Sequence, residues 1–112
     1  MVIQTTIVNS HVIVSLKGGL RYADRQALTT ALNQAVGPDC TKVLLDLHEV
    51  HFIDSAALSI LATTHQRLKQ QHKIFGLLKP TEQVMRLLTI SGIHKMMPIF
   101  QSEQEASTAT TA

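Results

Sequence analysis

The chain has 112 residues, is 45% apolar, and carries a formal net charge of +2 with one Cys, one Tyr and no Trp. That length holds one domain with a real core and is too short for two. No run approaches the roughly 20 apolar residues of a membrane span, no basic start precedes an apolar signal segment, and the small, scattered charge argues against nucleic acid. Cys40 stands alone, so an intramolecular disulfide is impossible and a reducing cytoplasm fits best.

Val2 to Val8 and Val12 to Leu16 are strand candidates, and the polar triplet Asn9-Ser10-His11 between them predicts an antiparallel hairpin. Gly18-Gly19 breaks the pattern. From Asp24 the period becomes helical, with Ala27, Leu28, Ala31, Leu32 and Ala35 on one stripe, until Gly37-Pro38 stops it. Val43 to Leu47 is nearly continuous in apolar side chains, as a strand covered on both faces should be. After the polar break His48-Glu49, Phe52 and Ile53 return the chain to the core. A helix from Ser55 to about Gln71 follows, with Ala57, Leu58, Leu61, Ala62 and Leu68 apolar. Ile74 to Leu78 reads as another buried strand. Thr81 caps a helix with Val84, Leu87 and Leu88 inward, and Ser91-Gly92 closes it. Ile99-Phe100, beside Pro98, is a short strand expected at a sheet edge, and Glu103 to Ala106 forms a further helical turn. This order predicts a mixed sheet with parallel crossovers. The expected domain is 1–106, followed by a small-residue flexible tail, 107–112.

The most informative segment is Phe52-Ile53-Asp54-Ser55-Ala56, where a buried strand delivers a hydroxyl to a helix start. Asp54 or Ser55 can cap that helix. A phosphate on Ser55 would be tolerated there, because unpaired backbone N–H groups and the positive end of the helix dipole favour negative charge. A docked partner would feel bulk, hydration and repulsion beside Asp54 instead. The bland reading of Ser55 is a cap that satisfies a backbone N–H.

The strand Val43 to Leu47, the spacing to Phe52-Ile53-Asp54-Ser55, then Ser91-Gly92-Ile93 and Phe100 to Ala106 resemble the STAS family of bacterial anti-anti-sigma factors. The resemblance implies an α/β fold: a single STAS-like domain with a mixed sheet of about five strands and helices packed mainly on one face. It also implies that Ser55 is phosphorylated by a serine kinase that doubles as an anti-sigma factor, and restored by a serine phosphatase. The unphosphorylated protein binds that kinase and frees a sigma factor. ATP would belong to the kinase, and the chain itself needs no cofactor and no metal. Expected partner-binding residues are Arg21, Tyr22, His51, Asp54, Ser55, Ala56 and Ser59. The chain departs from the family at Ala56 and Ala57, where a second hydroxyl and a glycine are usual, and at Arg21, where an acidic residue is usual. Arg21 is expected near Ser55, where it could hold a phosphate.

Other chemistries find less support. His48-Glu49-Val50-His51 lacks the second His at the four-residue spacing of a zinc-protease helix, since Phe52 stands there; His48 and His51 read better as the surface of a partner-binding loop. His65 lies in the apolar stripe, where a half-buried, hydrogen-bonded imidazole is expected. A Ser55 nucleophile would lack the Gly-x-Ser-x-Gly elbow and an oxyanion hole, so no enzymatic activity is expected. The alternative functions are a constitutive STAS adaptor subunit of a membrane transporter complex, in which Ser55 is only a cap, or a partner switch with a non-sigma output such as secretion or biofilm control. No insertion of this chain into a membrane is expected under any of these readings.

Overall fold

The computed structural model describes residues 2–8, 11–37 and 39–107, with the side chains of Val8 and Ser107 left aside. Among these, five strands form one sheet in chain order: β1 (Val2–Val8), β2 (His11–Leu20), β3 (Lys42–Ile53), β4 (Ile74–Leu78) and β5 (Ile99–Phe100). β1 and β2 are antiparallel, and every later neighbour is parallel. Between them run a 3₁₀ turn (Tyr22–Asp24) with α1 (Arg25–Ala35), then α2 (Ser55–Gln70), α3 (Glu82–Ser91) and α4 (Ile93–Met96); α5 (Glu103–Ser107) follows β5. Parallel strands laid down successively in one direction, each reached by a right-handed crossover, put the crossover helices on the same side of the sheet.

The core shows that layering. Leu28 and Leu32 of α1, Ala57, Leu61 and Leu68 of α2, and Val84 and Leu88 of α3 pack in one cluster with Val12, Val14, Val43, Leu45, Phe75 and Leu77. The alternate strand residues Ile13, Leu44 and Leu78 face the other way and meet Phe100 and Ala106 beneath α5. β3 is therefore buried on both faces from Lys42 to Leu47. Lys42 reaches that interior because its Nζ donates to the Ala106 carbonyl, pinning α5 to the sheet; burial lowers its pKa.

Several expected boundaries move. β2 does not stop at Gly18-Gly19 but continues to Leu20, since Gly18 takes φ 105° at a register shift. β3 absorbs the polar break His48-Glu49: Ser15 and Lys17 of β2 pair with Asp46 and Glu49, so β3 carries an extra residue there. Thr81 caps α3 as expected by accepting from the Val84 N–H, and its hydroxyl also donates to the Val50 carbonyl. Gly92, at φ 81°, ends α3 and starts the short α4, which the sequence reading did not separate. β5 lies at the sheet edge beside Pro98, as expected. Of the hairpin triplet, His11 belongs to β2, while Asn9 and Ser10 lie outside the described residues. Ser107 closes α5 rather than starting a tail, and residues 108–112 lie outside the description.

His65 corrects another expectation. It is half-buried, but its Nδ1 has no hydrogen-bond partner, and burial followed by the Lys69 charge lowers its pKa from 6.5. The unfolded chain therefore binds the proton more readily, so stability present above pH 6.5 falls as the pH drops toward the lower folded-state pKa. His11, lowered by burial and then by Lys42, acts in the same sense. His65→Leu is expected to raise stability at neutral pH by about 1 kcal/mol, by removing an unsatisfied polar atom, and to flatten the acid limb of the urea midpoint plotted against pH. A midpoint that tracks wild type at every pH would contradict this account.

Candidate functional site

β2 and β3 end side by side, with Leu20 opposite Ile53, both buried. The Asp54 N–H donates to the Leu20 carbonyl at 3.1 Å, so the chain leaves both strands from one locked corner. From that corner one path enters the 3₁₀ turn and α1, and the other enters α2.

Asp54 holds the two paths together. In extended conformation (φ −96°, ψ 176°) it is the N-cap of α2, its Oδ1 accepting from the Ala57 N–H at 2.9 Å. Its Oδ2 accepts from the Tyr22 N–H at 2.7 Å, a short bond with a charged acceptor. Asp24 fixes the same turn by accepting from the Arg21 N–H at 3.0 Å. Both Asp54 oxygens are thus occupied by backbone donors, and the rim they brace presents side chains rather than a free carboxylate.

Ser55 is the first residue of α2 and is exposed. Because Asp54 supplies the cap, the Ser55 hydroxyl is not consumed by the helix, and it makes no hydrogen bond to the described residues. The reading of Ser55 as the cap is corrected accordingly. The Ser55 and Ala56 N–H groups also lack an acceptor among the described residues, which leaves donors at the place where an oxyanion on Ser55 would sit. Ser59, exposed one turn on, donates from Oγ to the Ser55 carbonyl at 3.2 Å. Ala56 is half-buried beside them.

Arg21 and Tyr22 lie on the opposing lip. The Arg21 guanidinium stands over the Phe52 ring at 5.0 Å and crowds Gly19, where an added Cβ would come within 3.2 Å of Nη1. Tyr22 is 59% exposed, and the Arg25 guanidinium stacks on its ring at 3.9 Å while donating to its carbonyl. His51 is exposed near the end of β3, at a second register shift that leaves it without a partner on β2. The structure therefore brings Arg21, Tyr22, Asp54, Ser55, Ala56 and Ser59 into one neighbourhood, with His51 three residues before Asp54 on the strand that feeds it.

Two residues of this rim escaped the sequence reading. Phe52 was expected in the core with Ile53, but neighbouring strand residues point to opposite faces: Ile53 is buried and Phe52 is 39% exposed under Arg21. The bulge at His51 interrupts the alternation, so His51 and Phe52 both face outward between buried Val50 and Ile53. No local pattern announced that bulge, and none marked Arg25. His48 lies within β3 rather than on a loop, with Nδ1 2.6 Å from Asp46 Oδ1 and Nε2 3.2 Å from Glu49 Oε1.

Among the described residues no three His, Cys, Asp or Glu side chains stand together as a metal site. No described helix is long and apolar enough to cross a membrane. The arrangement offers a protruding hydroxyl on a rigid rim of stacked cations and aromatic rings, which suits recognition and covalent modification by another protein.

A family model, STAS domain, matches residues 2–106. The anti-sigma F factor antagonist of Paenibacillus polymyxa is 28% identical over 97 residues, covering 86% of this chain and 83% of that one. The crystal structure of an anti-sigma factor antagonist from Mycobacterium paratuberculosis shares the fold with TM-score 0.86 and 24% identity, over 99% of this chain and 94% of that one. The Bacillus cell fate determinant SpoIIAA in its phosphorylated form has TM-score 0.65 and 21% identity, over 95% and 96% of the two chains.

Proposed function

We propose that this chain, which belongs to the STAS domain family, is an anti-sigma factor antagonist whose grip on its partner is controlled by phosphorylation of Ser55. The partner is a serine kinase that doubles as the anti-sigma factor, and a serine phosphatase restores the bare hydroxyl. The setting is the cytoplasm, the role is binding rather than catalysis, and ATP is the kinase's substrate. The relative from Paenibacillus polymyxa, named as an anti-sigma F factor antagonist, supports the class of partner. The observation that carries the reading is the Ser55 hydroxyl: exposed, without a hydrogen bond to the described residues, and next to a cap carboxylate already satisfied by other donors.

A phosphoryl group there adds about two negative charges at neutral pH. The folded domain carries them, because the Ser55 and Ala56 N–H groups and the α2 dipole face them. A partner seated on Arg21, Tyr22, His51, Ala56 and Ser59 meets a hydrated dianion at the centre of its contact. Arg21, held over Phe52, belongs to that contact surface and would leave the ring to reach a phosphate. The switch is thus local and leaves the fold intact.

The test is capture from the native cell extract followed by mass spectrometry, then titration of the captured kinase. Ser55→Ala is expected to bind like the bare protein and Ser55→Asp to bind at least about tenfold more weakly, with both variants folded. Equal capture by the two variants, with no phosphorylated form in native cells under any growth or stress condition, would instead favour the constitutive adaptor.

A further inference from the structure

The sheet has two edges among the described residues, and they are defended very differently. β5 is two residues long, preceded by Pro98 and followed by α5, all of which blunt an edge against further pairing. β1 is seven residues long and contains no charged residue, no Pro and no Gly. Its outer side has no backbone hydrogen bond to the described residues. Ile7 is 74% and Val2 62% exposed on this strand. A long, uncharged, β-branched edge is a template for another strand.

The sequence of the strand says which one. It reads almost alike in both directions, Val-Ile-Gln-Thr-Thr-Ile-Val, with Thr5 at its centre. An antiparallel partner placed with Thr5 opposite Thr5 sets Ile3 opposite Ile7, Gln4 opposite Thr6, and the reverse on the other side. Ile3, Thr5 and Ile7 register with Leu16, Val14 and Val12, so they stand on the helix-covered side of the sheet. Each exposed Ile7 would then lie beside an Ile3 already packed on the core. Like-with-like apolar and Thr–Thr pairs are favourable cross-strand neighbours, and pairing about one central residue has the two-fold symmetry of an isologous dimer. An edge without charge offers nothing by which to select a different, charged strand.

We infer that this chain forms a homodimer by antiparallel pairing of β1 with β1 of a second copy about Thr5, joining two five-stranded sheets into one. The Ser55 rim lies on other elements, at the β3–α2 junction, so each copy retains its own switch.

Sedimentation velocity on the full chain, from ~1 to ~300 µM, covers the range expected for a modest contact. Wild type should pass from monomer to dimer with concentration. Thr5→Lys and Thr5→Glu each place like charges opposite one another and should raise the dissociation constant at least about tenfold, and an equimolar mixture of the two should re-form a dimer. Thr5 is exposed, so both variants should keep the wild-type circular dichroism. Ile7→Thr, which keeps a β-branched side chain, should weaken the dimer in the same direction. Wild type that stays monomeric throughout overturns the proposal, as does a Thr5→Lys protein that dimerises like wild type. Failure of the mixture to pair overturns the Thr5-centred register.

Discussion

Asp54→Ala is expected to lower the stability of this domain by about 2–3 kcal/mol and to weaken partner capture although Ser55 is untouched. The residue does two separable jobs. As N-cap it satisfies the Ala57 N–H, a contribution of about 1 kcal/mol. Through its other oxygen it holds the Tyr22 N–H, 32 residues away in sequence, at 2.7 Å. A hydrogen bond to a charged acceptor is worth about 1.5–3 kcal/mol, and the exposed setting argues for the lower part of that range. Alanine removes both. Asp54→Asn keeps one acceptor oxygen and no charge, so it should retain the cap and lose most of the tether. Urea unfolding orders the three proteins, and hydrogen exchange at the Tyr22 amide reports the tether by itself. In Asp54→Ala that amide should exchange at the rate of an open loop while the Leu45 amide, deep in β3, stays protected to the global limit. A protected Tyr22 amide in the alanine variant would mean that the turn is held by Asp24 and Arg21, and the role given to Asp54 would be wrong.

That tether also shows why the site was only partly legible in the sequence. The strands of the core were readable because Val43 to Leu47 and Ile74 to Leu78 are almost uninterrupted in apolar residues, which water-exposed segments do not sustain. Strand lengths were not, because Gly18, His48 and Glu49 look like punctuation while the sheet accommodates them at register shifts. The choice between Asp54 and Ser55 as cap was open, since either short polar side chain can accept from a helix N–H. It is decided by the extended backbone at Asp54, where β3 ends against Leu20. The bonds from Asp54 to Tyr22 and from Lys42 to the Ala106 carbonyl join residues far apart in the chain, and no local pattern announces them. A lone lysine at a strand start reads as a solvated charge, yet here it is buried and holds down the last helix. Ser55 was singled out by the family resemblance, because the residue pattern alone reads a serine at a helix start as a cap; its exposed place on the first turn of α2 follows from Asp54 taking the cap instead.

Gly76→Val should destabilise the protein by about 3 kcal/mol or more, and Gly76→Ala by about 1–3 kcal/mol, the reverse of the gain expected from removing a glycine within a strand. Gly76 is buried in β4 with no unusual backbone angle, so its requirement is space alone. A Cβ there would fall 2.6 Å from Cε2 and 3.1 Å from Cδ2 of Phe100, and 3.3 Å from Cδ2 of Leu44. The missing side chain is thus the recess that receives the Phe100 ring. That ring has little room to yield, since Ile13, Leu44, Leu78 and Ala106 enclose it. The weakest attachment nearby is β5, two residues long, with α5 behind it. The strain should therefore be relieved by release of β5 and α5 from the sheet, with the Lys42 bond to Ala106 lost alongside. A double-mutant cycle isolates the contact. Phe100→Leu alone costs stability by leaving part of the recess empty, but combined with Gly76→Ala it should cost clearly less than the two changes added together, because the methyl group then fills space the ring has vacated. Urea midpoints of the wild type, the two single variants and the double variant decide it. Additive losses, or a more stable Gly76→Ala, would show that Phe100 does not occupy the hollow over Gly76. Asp54 and Ser55 lie beyond this cluster at the start of α2, so a Gly76→Ala protein that remains folded should still hold its Tyr22 amide protected and capture its partner, with the damage confined to the α5 layer.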